Sequence, residues 1–192
     1  MEQEKEWVLL ARSGDTEAFT RLVEAFQKPV YNLAYRMLGN SVEAEDAAQE
    51  TFIRVYTRLH TYDINRKLSS WLLSIASHYC IDRLRRRRMT ILSLEDVAFT
   101  GHLASDQERP DEAVIRDEKE SRVHRLLDVL PDDYRAAVVL RYWYEYSYKE
   151  IAQMLDTTES AIKSRLFRAR QMLANSARET TPALNPRLAT AA

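Results

Sequence analysis

The sequence predicts an all-α protein made of two small helical units. Its 192 residues include only 3 glycines and 5 prolines, and apolar residues recur at helical spacing rather than in strand-like alternation. The length is sufficient for one domain or for two small ones, and the periodicity is lost between Met89 and Pro110. These observations predict helical units over residues 1–89 and 111–175, a flexible linker over 90–110 and a disordered tail over 176–192.

Four amphipathic helices are predicted in the N-terminal unit. Asp15 is placed to cap the first helix, which Pro29 should stop. The second helix runs from Val30 to Leu38. Ser41 should cap the third, whose early carboxylates complement the helix dipole. The fourth begins at Ser69, after a polar and partly basic loop.

The third predicted helix separates an inward face from an outward one. The residues that can face inward recur at helical spacing or lie beside that stripe: Ala47, Thr51, Phe52, Val55, Tyr56 and Leu59. The opposite side leaves an outward polar ridge of Asp46, Gln49, Glu50 and Arg54. Such a ridge is usually a solubilising face, and periodicity alone gives it no other role.

The fourth predicted helix has an apolar stripe along its first turns and basic residues on every side of its C-terminal end. The stripe consists of Trp71, Leu72, Ile75, Ala76, Tyr79 and Leu84. Arg85 to Arg88 surround the whole helix, so they cannot form one ordinary salt-bridged face. A solvated helix end is the plain alternative, since cations suit a helix C-terminus. Together with Arg66, Lys67 and Arg83, these arginines favour a phosphate-binding surface.

The formal net charge of −1 conceals an uneven distribution of charge along the chain. Residues 1–65 have a net charge of −4 and residues 66–88 one of +6. Residues 89–133 have a net charge of −7 and residues 141–178 one of +3. Two positive segments separated by an acidic spacer favour two DNA-facing surfaces on a chain that avoids general adhesion to DNA.

The C-terminal unit is predicted to begin with two helices. Asp111 should cap the first of them, which Pro131 ends. The second leads into the aromatic run Tyr142-Trp143-Tyr144. These rings could serve as a base-stacking platform, but packing of two of them against the helices that follow is the favoured interpretation.

Residues 147–173 have the pattern of two short helices joined by a tight turn. Ser147 and Glu150 form a predicted capping box at the start of the first helix. Asp156-Thr157-Thr158 interrupts the pattern, because such side chains favour turns and caps. The second helix has an inward stripe of Ile162, Leu166, Ala169 and Leu173.

The opposite face of this second helix is polar and rich in hydrogen-bond donors. It carries Ser160, Lys163, Ser164, Phe167, Arg168 and Gln171, flanked by Arg165 and Arg170. Arg and Lys can pair with guanine edges, and an apolar group can contact the thymine methyl. The pattern therefore favours a helix-turn-helix whose second helix enters the major groove. A solvated amphipathic hairpin is the alternative, and Phe167 is the residue that it explains least well.

Several other classes of function are disfavoured. The single Cys80 excludes an internal disulfide and a self-contained cysteine zinc cluster, and it fits a reducing cytosol. No Glu has a His three residues later, as a carboxylate metal site in a helical bundle requires, and no Gly-rich phosphate loop or nucleophile elbow occurs. We therefore expect no catalysis, no metal and no cofactor. The chain shows no signal-peptide pattern and no apolar run near the ~20 residues of a spanning helix, which predicts a cytoplasmic protein without direct membrane insertion.

Two long blocks of the chain together are typical of one family. YRMLGNSVEAEDAAQETFIRVY and the following LSSWLLSIASHYCIDRLRRRR resemble region 2 of bacterial sigma factors. LPDDYRAAVVLRYWYEYSYKEIAQMLDTTESAIKSRLFRARQML resembles their region 4. The absence of an intervening third region and the short length match the extracytoplasmic-function (ECF) subfamily. Residues 1–89 would then contain region 2 and residues 111–175 region 4.

The resemblance implies a dissociable promoter-specificity subunit of bacterial RNA polymerase. Region 2 would hold the clamp helices of the β′ subunit through Asp46, Gln49 and Glu50, called here the core-binding ridge. Region 4 would pack near the β flap and read the −35 element as duplex DNA. Region 2 would also bind the −10 element as a melted non-template strand, with an extruded base in a loop pocket.

The resemblance also assigns two sets of DNA-binding residues, named here after the promoter element that each would bind. The −10 set is Asn65, Arg66, Lys67, Ser69, Trp71, His78, Arg83, Arg85, Arg86, Arg87 and Arg88. The −35 set is Ser160, Lys163, Ser164, Arg165, Phe167, Arg168 and Arg170. Within the −35 set, Lys163, Ser164, Phe167 and Arg168 would meet base edges, and Arg165 and Arg170 would meet phosphates.

Three residues depart from the family pattern, and the departures leave the recognised −10 base open. Leu68 stands where Phe is common, His78 where Asn is common, and Asp156 where Gly is frequent. The family also implies a stress or envelope response under an anti-sigma factor, which can hold the chain at the membrane. The alternative of a stand-alone helix-turn-helix regulator would leave the core-binding ridge and Arg85 to Arg88 without a role.

Overall fold

The computed structural model describes residues 2–97 and 114–180, with side chains described for residues 2–90 and 121–178. All regular structure in these ranges is helical, which confirms the all-α prediction. The N-terminal unit consists of α1 (Glu2–Arg12), α2 (Thr16–Leu38), α3 (Ser41–Arg58), a 3-10 turn (Leu59–Thr61) and α4 (Leu68–Val97). The C-terminal unit consists of α5 (Val114–Asp128), α6 (Asp132–Tyr142), α7 (Tyr148–Met154) and α8 (Glu159–Thr180).

The N-terminal unit has four α-helices over residues 2–97, but two of them differ from the prediction. Helix α1 was not predicted, and the two helices expected on either side of Pro29 are one continuous helix. A proline inside a helix removes one backbone hydrogen bond. The apolar face of α2 runs unbroken past Pro29 through the buried Phe26, Val30 and Leu33, and burial of this face outweighs the lost bond.

The junction between α2 and α3 also differs from the prediction in one detail. Asn40, not Ser41, is the N-cap of α3, and its side chain accepts a 2.9 Å hydrogen bond from the amide of Glu43. Gly39 ends α2 in the left-handed conformation at φ 75°, which glycine adopts without steric strain. Asp15 caps α2 as predicted, accepting from the amides of Glu17 and Ala18.

Two helices extend beyond the bounds predicted for them. Helix α4 continues to Val97, inside the segment predicted as a linker, and α8 continues to Thr180, inside the segment predicted as a disordered tail. Both predictions relied on the loss of apolar periodicity, but a helix can continue beyond its last apolar stripe residue, because each further residue only extends turns that are already formed. Residues 98–113, including the predicted cap Asp111, and residues 181–192 lie outside the described residues.

Each unit has its own apolar core. In the N-terminal unit α2 is central and packs against α1, α3 and α4, with Val30, Leu33, Met37 and Leu72 fully buried between them. In the C-terminal unit α6, α7 and α8 enclose Leu140, Ile151, Ile162 and Leu166. The predicted inward residues of α3 are buried except for Tyr56, which is 54% exposed.

The C-terminal unit packs directly against α2 and α4 of the N-terminal unit. Two of the three aromatics at 142–144 were expected to pack on the helix-turn-helix, but the contacts that Trp143 and Tyr144 make are with α2. The hydroxyl of Tyr144 donates a 2.6 Å hydrogen bond to the carbonyl of Pro29, and the guanidinium of Arg36 lies 5.2 Å from the ring centroid of Trp143. Tyr142 is exposed. Two aromatics therefore join the two units, a contact that local sequence patterns do not specify.

Candidate nucleic-acid interface

Helix α7 begins with the predicted capping box. The amide of Ser147 donates to Glu150 Oε2 at 2.9 Å, and the amide of Glu150 donates to Ser147 Oγ at 3.2 Å. The box satisfies two free amides at the start of a helix of only seven residues. Ile151, Ala152 and Leu155 are buried as expected, which fixes α7 on the core of the C-terminal unit.

The turn between α7 and α8 depends on Asp156. This residue has a left-handed backbone at φ 47°, a conformation that Asp tolerates better than most residues other than glycine. Thr158 then accepts a 3.1 Å hydrogen bond from the amide of Ala161 at the start of α8. The turn therefore follows the prediction, and the departure from glycine at position 156 is accommodated.

Helix α8 presents the predicted polar face to solvent. Ile162, Leu166 and Ala169 are buried on its inner side, and Leu173 is half-buried. The exposed residues of the outer side are Ser160, Lys163, Ser164, Phe167, Arg168, Arg170 and Gln171. Phe167 is 55% exposed, which places an apolar ring among polar donors on this outer side.

Some charged residues of α8 already have partners. Lys163 Nζ lies 3.1 Å from Glu159 one turn earlier, and Arg168 donates a long 3.4 Å hydrogen bond to the hydroxyl of Tyr134. Arg165 is half-buried and lies 4.0 Å from Asp133. Arg165 is therefore less accessible in this conformation than the rest of the −35 set.

The loop before α4 is held from two sides. Arg12 on α1 donates to the carbonyls of Leu59 and Tyr62, and the hydroxyl of Tyr62 donates to the carbonyl of Arg66. The ring of Tyr62 packs 5.0 Å from that of Trp71. These contacts hold the loop against α1 and α4.

Two cavities flank this loop. One of about 160 Å³ lies towards α1 and is lined by Glu4, Lys5, Val8, Tyr62, Arg66, Lys67, Leu68 and Ser69. The other, of about 190 Å³, lies towards α7 and is lined by Arg66, Lys67, Ser70, Trp71, Ser74, Glu150, Gln153 and Met154. From the −10 set, the structure thus brings Arg66, Lys67, Ser69 and Trp71 to the cavity walls. Asn65 and His78 lie outside both linings.

Three of the arginines of α4 lie close to carboxylates, and two others are exposed. Arg83 lies 3.7 Å from Glu43 within the N-terminal unit, whereas Arg85 and Arg88 reach across to Asp133 and Asp132 at 3.0 and 2.9 Å. Arg86 and Arg87 are exposed.

Lys67 in the preceding loop also reaches the C-terminal unit. Its Nζ lies 2.8 Å from Glu150 Oε1. Hydrogen bonds from Lys67 and then from Ser147 lower the pKa of Glu150 to about 2. Glu150 is therefore ionised at neutral pH and forms a charge-assisted hydrogen bond to Lys67.

The core-binding ridge lies on the outer side of α3. Asp46 and Gln49 are exposed, and Glu50 pairs with Arg54 at 2.8 Å. Beside the ridge, an apolar groove of about 800 Å³ opens between α2 and α3. Its wall includes Ile53, which is 59% exposed, and Tyr56.

These two apolar residues were not predicted as part of a site. Ile53 lies off the buried stripe of α3. It follows Gln49 by four residues and therefore lies on the same face of the helix as the ridge, which is the feature of the sequence that could have indicated an exposed apolar residue there. Tyr56 was assigned to the inward face.

In the part of the chain that the structure describes, no three or more His, Cys, Asp or Glu side chains cluster as metal ligands would. No helix in the same part has both the length and the apolar character needed to cross a membrane.

Comparison with known proteins gives a consistent identification. Residues 22–90 match the family described as Sigma-70 region 2, and residues 120–173 match Sigma-70, region 4. The ECF RNA polymerase sigma factor SigW of Bacillus subtilis is 35% identical over 181 residues, which cover 91% of this chain and 97% of that protein.

Solved structures share the fold. CnrH, in complex with the cytosolic domain of CnrY, matches with a TM-score of 0.69 at 21% identity, covering 93% of this chain and 99% of that one. The sigma factor RpoE of Bartonella quintana, in complex with the anti-sigma factor NepR, matches with a TM-score of 0.63 at 20% identity, covering 86% and 100%. Both sigma regions are thus present in order across most of the chain. The chain therefore belongs to the ECF family of sigma-70 factors, which are promoter-specificity subunits of RNA polymerase rather than enzymes.

Proposed function

We propose that this chain directs core RNA polymerase to promoters through three separate surfaces. The core-binding ridge and the groove beside it dock on polymerase, the −10 set holds melted non-template strand, and the outer face of α8 reads the −35 duplex. The single observation that carries the proposal is the exposed outer face of α8, where Phe167 lies among polar donors on a capped helix-turn-helix.

The −35 assignment is supported by the division of α8 into two faces. The outer side of α8 is exposed at Lys163, Ser164, Phe167 and Arg168, whereas the inner side of the same helix is buried. In a helix-turn-helix the side chains of the second helix reach base edges in the major groove. Lys163 and Arg168 can donate to guanine, and the ring of Phe167 can pack on a thymine methyl.

The core-docking assignment is supported by a surface that combines charge with exposed apolar area. The groove between α2 and α3 suits the side chains of a partner helix, and Gln49 of the core-binding ridge lines it. Recognition of helices in apolar grooves depends on such anchors. The clamp helices of the polymerase β′ subunit are the partner that the family suggests, with the β flap as the partner of region 4.

The −10 assignment is supported by the two cavities beside a firmly held loop. Extruding a base from a stack costs a few kcal/mol, so the protein must offset that loss with a fitted pocket and contacts to the strand. Arg66, Lys67, Ser69 and Trp71 supply donors and a stacking ring at the cavity walls. Arg86 and Arg87 lie exposed further along α4, where a strand leaving the pocket would meet cations.

Control by an anti-sigma factor is part of the proposal. The sigma factor RpoE of Bartonella quintana, which shares this fold, has been solved with the anti-sigma factor NepR. An inhibitor of that class would cover the polymerase-binding or DNA-binding surfaces in the cytoplasm, or at a membrane if it is itself anchored there. Its release would start a stress or envelope response.

In vitro transcription with purified core polymerase and a library of promoters tests the proposal. Initiation that depends on added chain, at sites sharing −35 and −10 sequences, is the expected result. The same reactions without the chain measure background initiation by core polymerase. Absence of chain-dependent initiation, despite association with core, would refute the proposed function.

A further inference from the structure

Several of the contacts between the two units involve members of the −10 set. Lys67, Arg85 and Arg88 pair with Glu150, Asp133 and Asp132 at 2.8, 3.0 and 2.9 Å. These pairs join residues that lie far apart in the chain. Three cations assigned to phosphate binding are therefore each paired with a carboxylate of the C-terminal unit.

Two further members of the −10 set also meet the C-terminal unit. Ser69 accepts a 3.1 Å hydrogen bond from the hydroxyl of Tyr146, and His78 Nε2 lies 3.5 Å from Asp156. The C-terminal unit thus contacts both the cations of the −10 set and two of its other polar residues. The cavity towards α7 has Glu150, Gln153 and Met154 as its far wall, so α7 also closes that side of the loop pocket.

The contact is held by groups that are not assigned to DNA. Arg135 is buried and donates a 2.7 Å hydrogen bond to the carbonyl of Met37, near the C-terminal end of α2. Its second nitrogen pairs with Asp128 of its own unit at 3.1 Å. Tyr144 and Trp143 add their contacts with α2. The C-terminal unit is thus fixed in one orientation, with its carboxylates on the basic surface.

We propose that the C-terminal unit inhibits its own chain: Asp132, Asp133 and Glu150 occupy the phosphate-binding cations of the −10 surface, and the two units must separate before melted DNA can bind there. The inference rests on the proposed assignment of the −10 set and adds a mode of regulation to that site. With the two units in contact, which we call the closed chain, the outer face of α8 stays exposed. The closed chain is therefore blocked at the −10 surface and not at the −35 face.

Two variants that open the contact in different ways test the proposal. Asp133→Asn with Glu150→Gln removes two carboxylates and leaves the whole −10 set in place, and Gln retains the capping acceptor. Arg135→Met removes the buried anchor. The first variant makes the net charge more positive and the second makes it more negative, so a shared effect cannot come from bulk charge. Glu24→Gln with Glu145→Gln is the charge-matched control, because both residues are exposed and neither is a partner in the contacts described above.

The first measurement is the separation of the units in the full chain. Donor and acceptor dyes at Thr57→Cys and Gln171→Cys report it by energy transfer, since both positions are exposed. Cys80 is buried, and burial raises the pKa of its thiol to about 12, so it should not take up dye. Both opening variants should lower the transfer efficiency, and the control should match the parent chain.

The second measurement is binding of a labelled single-stranded DNA pool of random sequence, about 12 nucleotides long. Both opening variants should bind it roughly threefold to tenfold more tightly than the parent chain at equal salt, because releasing weak surface pairs shifts the equilibrium by about that factor. The control should bind like the parent chain. Unchanged energy transfer, or opening without tighter binding, would overturn the proposal.

Transcription with core polymerase separates this inference from the proposed function. If the inference alone is wrong, the parent chain initiates transcription, and the opening variants either keep the energy transfer of the parent chain or open without binding the oligonucleotide more tightly. If the proposed function is wrong, neither the parent chain nor the variants initiate. A parent chain that initiates, with variants that open and bind the oligonucleotide more tightly, supports both.

Discussion

The hydroxyl of Tyr144 donates a 2.6 Å hydrogen bond to the carbonyl oxygen of Pro29, and so joins the C-terminal unit to the middle of α2. Burial raises the pKa of Tyr144 to about 12, so this hydroxyl remains a donor throughout the physiological range. The bond connects one of three aromatics, two of which were expected to pack on the helix-turn-helix, with a proline expected to end a helix. The contact between the units thus makes Tyr144 a hydrogen-bond donor to α2 and Pro29 its acceptor.

Tyr144→Phe should lower the free energy of unfolding by about 0.5–1.5 kcal/mol, the typical net contribution of one hydrogen bond. The ring stays, so packing is preserved and only the donor is lost. Urea denaturation followed by circular dichroism measures the change. Tyr142→Phe is the matched control, because Tyr142 is exposed and its hydroxyl should contribute little. Equal stability of the Tyr144→Phe variant and the parent would show that the bond contributes nothing.

Arg168→Ala should alter the preferred −35 sequence and weaken discrimination at one base pair by about 1–3 kcal/mol, as loss of a bidentate base contact does. Arg168 is exposed on the outer face of α8, and its hydrogen bond to Tyr134 is a long one of 3.4 Å. Transcription from a library of −35 sequences measures the preference. Arg178→Ala, near the C-terminal end of α8, is the control. An unchanged preference would remove Arg168 from the set of base readers.

Ile53→Ser should weaken binding to core polymerase by about 1–2 kcal/mol, because docking would bury the exposed 59% of a side chain whose full burial is worth about 1.5–3 kcal/mol. Stability of the free chain should change by less than about 0.5 kcal/mol, because Ile53 is largely exposed and contributes little to the core. Fluorescence anisotropy of labelled chain with core polymerase measures the affinity. Leu9→Ser on α1, also largely exposed, should bind like the parent.

The core-binding ridge can be tested in the same assay. Asp46→Ala with Gln49→Ala should weaken the complex while leaving helix content unchanged, since both side chains are exposed. Full affinity in this double variant together with loss in Ile53→Ser would place the docking surface in the groove alone.

Acid should loosen the contact between the units through Glu150. Its pKa in the folded chain is about 2, below the ordinary 4.5, because Lys67 and Ser147 donate to the ionised form. A carboxyl with a lowered pKa stabilises the folded chain above its unfolded pKa, and the stabilisation is lost as the pH falls. The loss should therefore develop between pH 4.5 and about pH 2.

Energy transfer and urea denaturation over this range should show less pH dependence in Glu150→Gln than in the parent. Glu24→Gln retains Glu150 and should show the full dependence. If Glu150→Gln and the parent lost stability in parallel, Glu150 would not be responsible for the loss.

Local patterns predicted the helix-turn-helix well, because everything that defines it is close in sequence. The capping box at Ser147, the turn at Asp156 and the stripe through Ile162 and Leu166 all involve neighbours within a few turns of helix. The outward position of Asp46 and Gln49 followed from periodicity in the same way.

The features that sequence patterns missed depend on distant parts of the chain. Pro29 has a strong local preference to end a helix, and only burial of α2 on both sides of it reverses that preference. Helix α1 buries only Val8 and Ala11, too few apolar residues for a clear pattern. The pairs between Arg85 and Asp133 and between Arg88 and Asp132 join separate units, so no spacing rule predicts them.

The two oxygens of Glu150 have different partners: Oε2 accepts from the amide and the hydroxyl of Ser147, and Oε1 accepts from Lys67. Withdrawal of Lys67 therefore leaves the first turn of α7 fully capped. If the units separate as proposed, α7 would keep the hydrogen bonds at its first turn, and the C-terminal unit could leave and rejoin α4 as a folded body. Such reversible opening would suit a subunit that must bind core polymerase and later leave it.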